Sequence, residues 1–512
     1  MASAFVSDRG LAPSLDAKDV QGLVRFGYGG LKEACYLLLR IRDGAAARAW
    51  CATAPVATAE FQEKPPDVAL QVAFTSNGLR ALGLSSQVLS GFSAEFQVGM
   101  AAEDSRSRRL GDISQNAPTR WAWGRPGNEP DVLVILFAKT GLLSDWKSQV
   151  ENSSFYAAFE TLHCLPTANL DGYEPFGFKD GISQPQIDWS RQRTTSKDEL
   201  TYTNIVALGE FLLGYPNEYG KYTDRPLLNP SERGAGDLLP AEEYPGKKDL
   251  GRNGTYLVMR QLEQDVRGFW RFLDGASKSN ETERLRLGEA MVGRTTEGKP
   301  LVPLSSNVIP GIEENAEDSL NNFTYDSDTN GIRCPLGAHI RRANPRNVDI
   351  PGRPSWFVSR GLRMVGFGSK SFRADLMAST RFHRMLRRGR EYGPGLTIHD
   401  ALQPKPEGDP TRGIHFLCLN ANISRQFEFV QNAWLMSTKF NGLSEESDPL
   451  IGNRAAVGEC PYTGNFSLPR DGSPPQVLTG LPQFITVRGG AYFFLPSLRA
   501  LRYFGKSPTE SR

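Results

Sequence analysis

The chain has 512 residues, 39% of them apolar and 23% charged, and 59 Lys+Arg against 57 Asp+Glu leave a formal charge of +2. That length suits two or three domains with a sizeable core. The near-neutral balance excludes a supercharged tail, a wholly disordered chain and a basic protein held to nucleic acid by net charge.

Residues 1–10 lack a basic stretch followed by an apolar one, so no secretory signal is visible. The six cysteines (35, 51, 164, 334, 418, 460) are scattered without a Cys-x-x-Cys, and an intracellular, reducing setting is expected. The densest apolar run is Val132–Ala138, far short of the ~18 residues that would suggest a membrane span. In chain order, residues 20–42 read as two short strands, or a strand and an edge, closed by Asp43-Gly44. Ala45–Ala52 reads as a helix, 69–75 alternates like a strand, 77–83 is a short helix ended by glycine, and 131–139 is an apolar strand. Strands alternating with single helices predict an α+β sandwich with helices on one face of a sheet. Residues 216–252, rich in Pro, Gly and charge, read as a linker. A second such pattern starts at Gly254 and runs into a helix over 264–273. Residues 274–332 and 441–483 read mostly as loops, and Phe484–Pro496 as a strand pair. The expected organisation is an N-terminal domain over 1–215, the linker, and a C-terminal domain over 253–512.

Five histidines (163, 339, 383, 399, 415) make a multi-histidine metal site unexpected. No His-Glu-x-x-His, Walker loop, Gly-x-Ser-x-Gly or strand-anchored Gly-x-Gly-x-x-Gly is present, which sets aside zinc proteases, P-loop NTPases, α/β-hydrolases and dinucleotide enzymes. Three patterns remain. Gly177-Phe-Lys-Asp-Gly181 is either an ordinary turn or a tight loop projecting Asp180 into a cavity. In Arg333-Cys-Pro-Leu-Gly-Ala-His-Ile-Arg-Arg-Ala-Asn-Pro-Arg346, His339 is either a structural histidine or the single axial ligand that a porphyrin iron needs, with arginines near enough for propionates. Arg381, Arg384 and Arg388 recur at helical spacing, with Gly389 as a stop. They suit a solvated cationic helix end, a nucleic-acid patch, or one arginine turned inward.

Taken together and in this order, the three blocks resemble the dye-decolourising peroxidase family. Leu110-Gly-Asp112 with Trp121–Gly124, Gly209–Tyr215, Gly413-Ile-His-Phe416 and Gly490–Pro496 extend the likeness over about residues 18–500. The resemblance implies two ferredoxin-like α+β domains with haem b held mainly by the second. It places the axial ligand at His339, a distal acid–base at Asp180 and its distal companion at Arg387. Ile414 and Phe416 would line the distal pocket, with Ile182 and Ser183 also against the haem and Arg346 toward a propionate. The carboxylate expected to hold the proximal imidazole has no counterpart soon after the 416–423 stretch, where Asn422 stands instead. The implied activity is reduction of hydrogen peroxide through a ferryl intermediate, followed by one-electron oxidation of dyes and phenols, with no nucleic-acid or membrane partner. The competing expectation is a haem-handling protein with little turnover.

Overall fold

The computed structural model describes residues 15–191, 204–304, 320–346, 380–455 and 463–506; the N-terminal stretch read for a signal and Cys460 lie outside them. The elements that position the site are β1 (Glu33–Ile41), α1 (Gly44–Thr53), β2 (Val68–Phe74), β3 (Val132–Ala138), α2 (Leu143–Val150) and β4 (Phe159–Pro166). They are followed by β5 (Thr255–Gln264), α3 (Val266–Ala276), α4 (Glu281–Val292), α5 (His339–Ala343), β6 (Leu386–Arg387), β7 (Arg390–Tyr392), β8 (Gly413–Asn420), β9 (Ile485–Leu495) and α6 (Leu498–Lys506).

All nine strands join one antiparallel sheet in the order β6-β8-β5-β9-β2-β3-β1-β4, with β7 paired to β8. The path β2-β3-β1-β4 is repeated by β6-β8-β5-β9. In each repeat the first and third strands of the path, taken in chain order, sit inside and the second and fourth close its edges, which is the ferredoxin-like arrangement the resemblance implied. β3 is buried at every position, as expected of a strand covered on both faces. One face packs against helices: Trp50 of α1, Phe269 and Trp270 of α3, Leu287 of α4 and Phe504 of α6 share a single apolar cluster with Leu37, Val134 and Val258 of the sheet. Loops cover the other face, through Val20, Leu23, Phe211 and Tyr215.

The two repeats meet where Phe494 pairs with Phe74, the one registered pair between β9 and β2. Gln21 completes this seam. Its Nε2 donates to Val72 O at 2.8 Å and Pro496 O at 2.9 Å, and its Oε1 accepts from Val72 N at 3.0 Å. A single fully buried side chain thus supplies the hydrogen bonds that a longer strand pairing would have made.

The structure departs from the sequence reading in six places. Residues 20–42 hold one strand and a 3-10 turn at Gly22–Val24 rather than two strands. The stretch 274–332 contains α4, capped by Asn280, whose side chain accepts from Glu283 N at 2.9 Å, and stopped by Gly293. Its charged first turns dilute the apolar period, which hid the helix from the sequence pattern. The stretch 441–483 contains an antiparallel hairpin, Phe466–Arg470 with Ser473–Leu478. Phe484–Pro496 is one long strand with an irregularity between Val487 and Gly489. Leu386–Arg387 and Arg390–Tyr392 are strands, not a continuation of the helix that the arginine spacing suggested. Residues 216–252 carry the short pair Leu227–Leu228 with Lys248–Asp249, and Arg225 is buried there between Asp249 and Glu243.

Candidate active site

β4 leads the chain toward the site. Past its end, Ala168 N donates to Glu391 O at 2.7 Å, and Lys179 N and Asp180 N donate at 2.9 Å to Thr296 O and Gly172 O. Gly177 and Gly181 have φ of +98° and +84°, a region open to glycine at no steric cost. They bracket a tight loop that delivers Asp180 to a cavity wall. Asp180 Oδ1 accepts from Arg387 Nη1 at 2.9 Å. Burial opposes ionisation of Asp180, but the Arg387 charge, the Gly181 N–H and the Arg387 hydrogen bond outweigh it, and the carboxyl titrates below its ordinary value.

Arg387 ends β6, where Leu386 and Arg387 pair with Leu419 and Cys418. Gln184 clamps its backbone, accepting from Arg387 N at 3.0 Å and donating to Arg387 O at 3.2 Å. The spacing of Arg381, Arg384 and Arg388 is therefore not helical register. Arg388 N bonds Leu417 O, and a Cβ on Gly389 would stand 2.4 Å from His415 O, so the Arg-Arg-Gly sequence is what lets this short edge lie flat on β8. Arg388 donates to Leu23 O and Val24 O, and Arg390 to Leu31 O and Tyr28 O. Arg381 and Arg384 are buried as well. The block turns inward and offers no solvated cationic face.

His339 opens α5. Its Nδ1–H donates to Asp448 Oδ2 at 2.9 Å, leaving Nε2 directed to the cavity. Asp448 is fully buried, and its Oδ1 accepts from Leu450 N at 2.9 Å and Ile451 N at 3.0 Å. Burial works against the Asp448 charge, but His339, its hydrogen bond and the Ile451 N–H hold the carboxyl below its usual value. Burial likewise disfavours protonation of His339, and Asp448 more than offsets it. This corrects the reading of Asn422 as the imidazole's partner. Asn422 Oδ1 accepts from Arg425 N at 2.8 Å, because the chain leaves β8 at Asn420 and the amide is consumed in capping the turn that follows. The acceptor is a carboxylate after all, supplied from further along the chain.

His339, Asp180 and Arg387 all line one cavity of about 630 Å³. Its sheet side is built from the directly opposed pairs Ile414–Leu262 and Phe416–Arg260, and Ile182 and Ser183 also line it. Arg346 does not. It is buried behind the wall, with its guanidinium on Asn321 and over the Phe323 ring at 3.6 Å. Arg341 and Arg342 also point away, the first onto Asp328 and the Cys334 carbonyl, the second onto the carbonyls of Trp434, Ser437 and Glu446. Arg294 and Arg384 line the cavity together with Arg260, Arg387 and Arg390; the sequence reading did not single out Arg294, and named Arg384 only within the arginine block. Arg294 donates to Gly298 O, Leu320 O and Ser183 Oγ and meets no carboxylate among the described residues. Burial, with Arg346 and Arg387 nearby, pushes it down to about 10, so it remains a cation at neutral pH.

These residues fit a porphyrin iron and not a bare ion. Among the described residues no group of three His, Cys, Asp or Glu could hold a metal. A single imidazole with its far nitrogen on a carboxylate is the donor set of an iron whose other ligands come with it. Arg294 is a cation awaiting an anionic group such as a propionate. No helix among the described residues is long and apolar enough to cross a membrane.

No family model matches the sequence. Among curated proteins, a dye-decolorizing peroxidase of Mycetinis scorodonius is 28% identical over 85% of this chain and 76% of its own length. Another, of Auricularia auricula-judae, is 28% identical over 96% of this chain and 87% of its length. A multifunctional dye peroxidase of Amycolatopsis is 29% identical over 85% and 81%. Among solved structures, a fungal DyP-type peroxidase from Auricularia auricula-judae superposes with a TM-score of 0.69 at 26% identity, covering 97% of this chain and 100% of that one. A DyP-type peroxidase from Anabaena shares the fold at 22% identity, with a TM-score of 0.67 over 95% and 94% of the two chains.

Proposed function

We propose that this chain is a dye-decolourising peroxidase, as its likeness to the relatives above supports, and that it holds haem b on His339 and uses hydrogen peroxide to oxidise dyes, phenols and similar one-electron donors. The observation that carries this reading is one cavity with an imidazole–carboxylate pair, His339–Asp448, on one wall and a carboxylate–guanidinium pair, Asp180–Arg387, on another.

When bound, the haem supplies an iron that takes up the oxidising equivalents of peroxide and returns them as single-electron steps. The chain does the rest. His339 Nε2 is the ligand, and the negative charge of Asp448 on Nδ1–H makes the imidazole a stronger donor. Arg294 and Arg384, which line the cavity, would hold the haem carboxylates. Asp180, ionised into acid, accepts a proton from peroxide entering the cavity and returns it to the departing oxygen, so that water leaves. The Arg387 guanidinium stabilises the negative charge that develops as the O–O bond breaks. A bulky dye does not have to enter. Trp434 lines the cavity, is only half-buried and packs edge-on against His383 and Phe429, which suits it to pass electrons inward.

The test is an absorption spectrum and a turnover assay. Protein loaded with haemin should show a Soret band and bleach an anthraquinone dye only when peroxide is added, and His339→Ala should lose the band. A chain that leaves haemin unbound, or whose His339→Ala variant keeps an unchanged band, overturns the assignment.

A further inference from the structure

Cys35 and Cys164 lie on β1 and β4 and are not among the residues that line the cavity. β1 and β4 are paired so that Cys35 stands opposite Pro166 and Leu37 opposite Cys164. With side chains alternating along each strand, the two cysteines are diagonal neighbours on one face, a spacing at which side chains meet. Each thiol perturbs the ionisation of the other. Cys35 is buried at 3% exposure, whereas Cys164 is open to solvent. Lys147 of α2, ion-paired to Glu151 at 2.6 Å, places a positive charge near both sulfurs. β4 is the terminal strand of the sheet, paired along its length on one side only.

We propose that Cys164 and Cys35 form a peroxide-oxidisable dithiol, with Cys164 as the attacking thiolate and Cys35 as the resolving thiol, that closes to a reversible disulfide between β4 and β1.

The two thiols are differentiated as such chemistry needs. The neighbouring Cys35 thiol, outweighing partial burial and aided by Lys147, brings Cys164 down to about 7, so a large fraction is thiolate at neutrality. The neighbouring Cys164 sulfur, together with burial, drives Cys35 far up and keeps it protonated. In the first step the Cys164 sulfur attacks a peroxide oxygen and the O–O bond breaks. The products are Cys164 sulfenic acid and hydroxide, which is protonated to water. In the second step the Cys35 sulfur attacks the Cys164 sulfur, the S–S bond forms, the S–O bond breaks, and water leaves with the Cys35 proton. Two thiols lose two electrons and one peroxide becomes two waters. The chain would then respond to the oxidant it consumes through groups that do not touch the haem cavity. β4 is also the strand from which the Asp180 loop departs.

The experiment treats haem-loaded protein with hydrogen peroxide or with diamide, a thiol oxidant that needs no haem. Remaining thiols are then alkylated and peptides mapped without reduction. One cross-linked species joining the Cys35 and Cys164 peptides is expected, lighter by two hydrogens and reversed by dithiothreitol. Cys164→Ser should abolish the link and leave Cys35 reduced, while Cys35→Ser should trap a dimedone-reactive sulfenic acid at Cys164. Neither variant should change dye oxidation. Cys164 remaining fully reduced under both oxidants overturns the proposal, a link with diamide alone overturns its peroxide step, and Cys35 oxidising unaided in Cys164→Ser overturns the assignment of roles. Because the readout is the thiols, it is independent of whether the dye is oxidised.

Discussion

Asp180 gains its acid tolerance from Arg387, and the two cannot be altered independently. With the carboxyl held below its ordinary value, the ionised, proton-accepting form persists as pH falls and is lost only when pH passes through that lowered value. Arg387→Leu removes both the charge and the hydrogen bond that oppose burial. The peroxide reaction should therefore slow by about 100- to 1,000-fold, the loss typical of one electrostatic donor, and its acid limb should move to higher pH. Stopped-flow rates across pH check both; a slowed reaction with an unmoved limb would mean that Arg387 acts only on the substrate. Trp434→Phe should leave the peroxide reaction intact and reduce oxidation of a bulky dye several-fold, read by comparing dye turnover with single-turnover peroxide kinetics.

At the scale of elements, the interplay of strand edge and arginine recurs. Arg267 of α3 and Arg412, one residue before β8, both grip Asp409, at 2.9 and 3.0 Å, tying the helix layer to the strand that floors the cavity. Hydrogen bonds from Arg412 and Arg267 hold Asp409 well below the usual carboxylate range. Its folded value being depressed, this contribution is complete above the unfolded value, ~3.9, and is lost as pH falls through the folded one. Asp409→Asn should therefore lower Tm at pH 7, and the gap to the parent should narrow below about pH 4; calorimetry at several pH values reads it. The same elements show where sequence pattern misleads. Arg381, Arg384 and Arg388 have helical spacing, yet a two-residue pairing with β8 and the close approach at Gly389 decide for strand. Conversely α4 carries a clear cap and stop around a face too charged to announce a helix.

For the whole molecule, what was legible depended on how local the signal is. The Asp180 loop is written in five consecutive residues, two of them glycines required by their backbone angles, and His339 lies in a block dense enough to be recognised. Asp448 is 109 residues from the imidazole it holds, and only its turn before Pro449 marks it locally. Arg294 and Arg384 reach the cavity because helices and strands bring them there, which no spacing records, whereas the more conspicuous arginines at 341, 342 and 346 are consumed by the fold. The repeat itself was visible as two αβ openings, but the seam was not. Gln21→Ala would strand the Val72 and Pro496 groups it serves, and a loss of about 1–3 kcal/mol is expected for such buried polar groups. Urea unfolding measures it, and a change within ±0.5 kcal/mol would show that the seam is held by packing alone.

Asp180 and Arg387 are 207 residues apart and come from opposite repeats, so their 2.9 Å contact is a gauge laid across the joint between them. Slippage of about 1 Å at such a contact is enough to cost on the order of a hundredfold in rate, well before any strand or helix has come undone. Heat should therefore silence the enzyme at a lower temperature than the one at which its circular dichroism collapses, and cooling from that interval should bring the activity back.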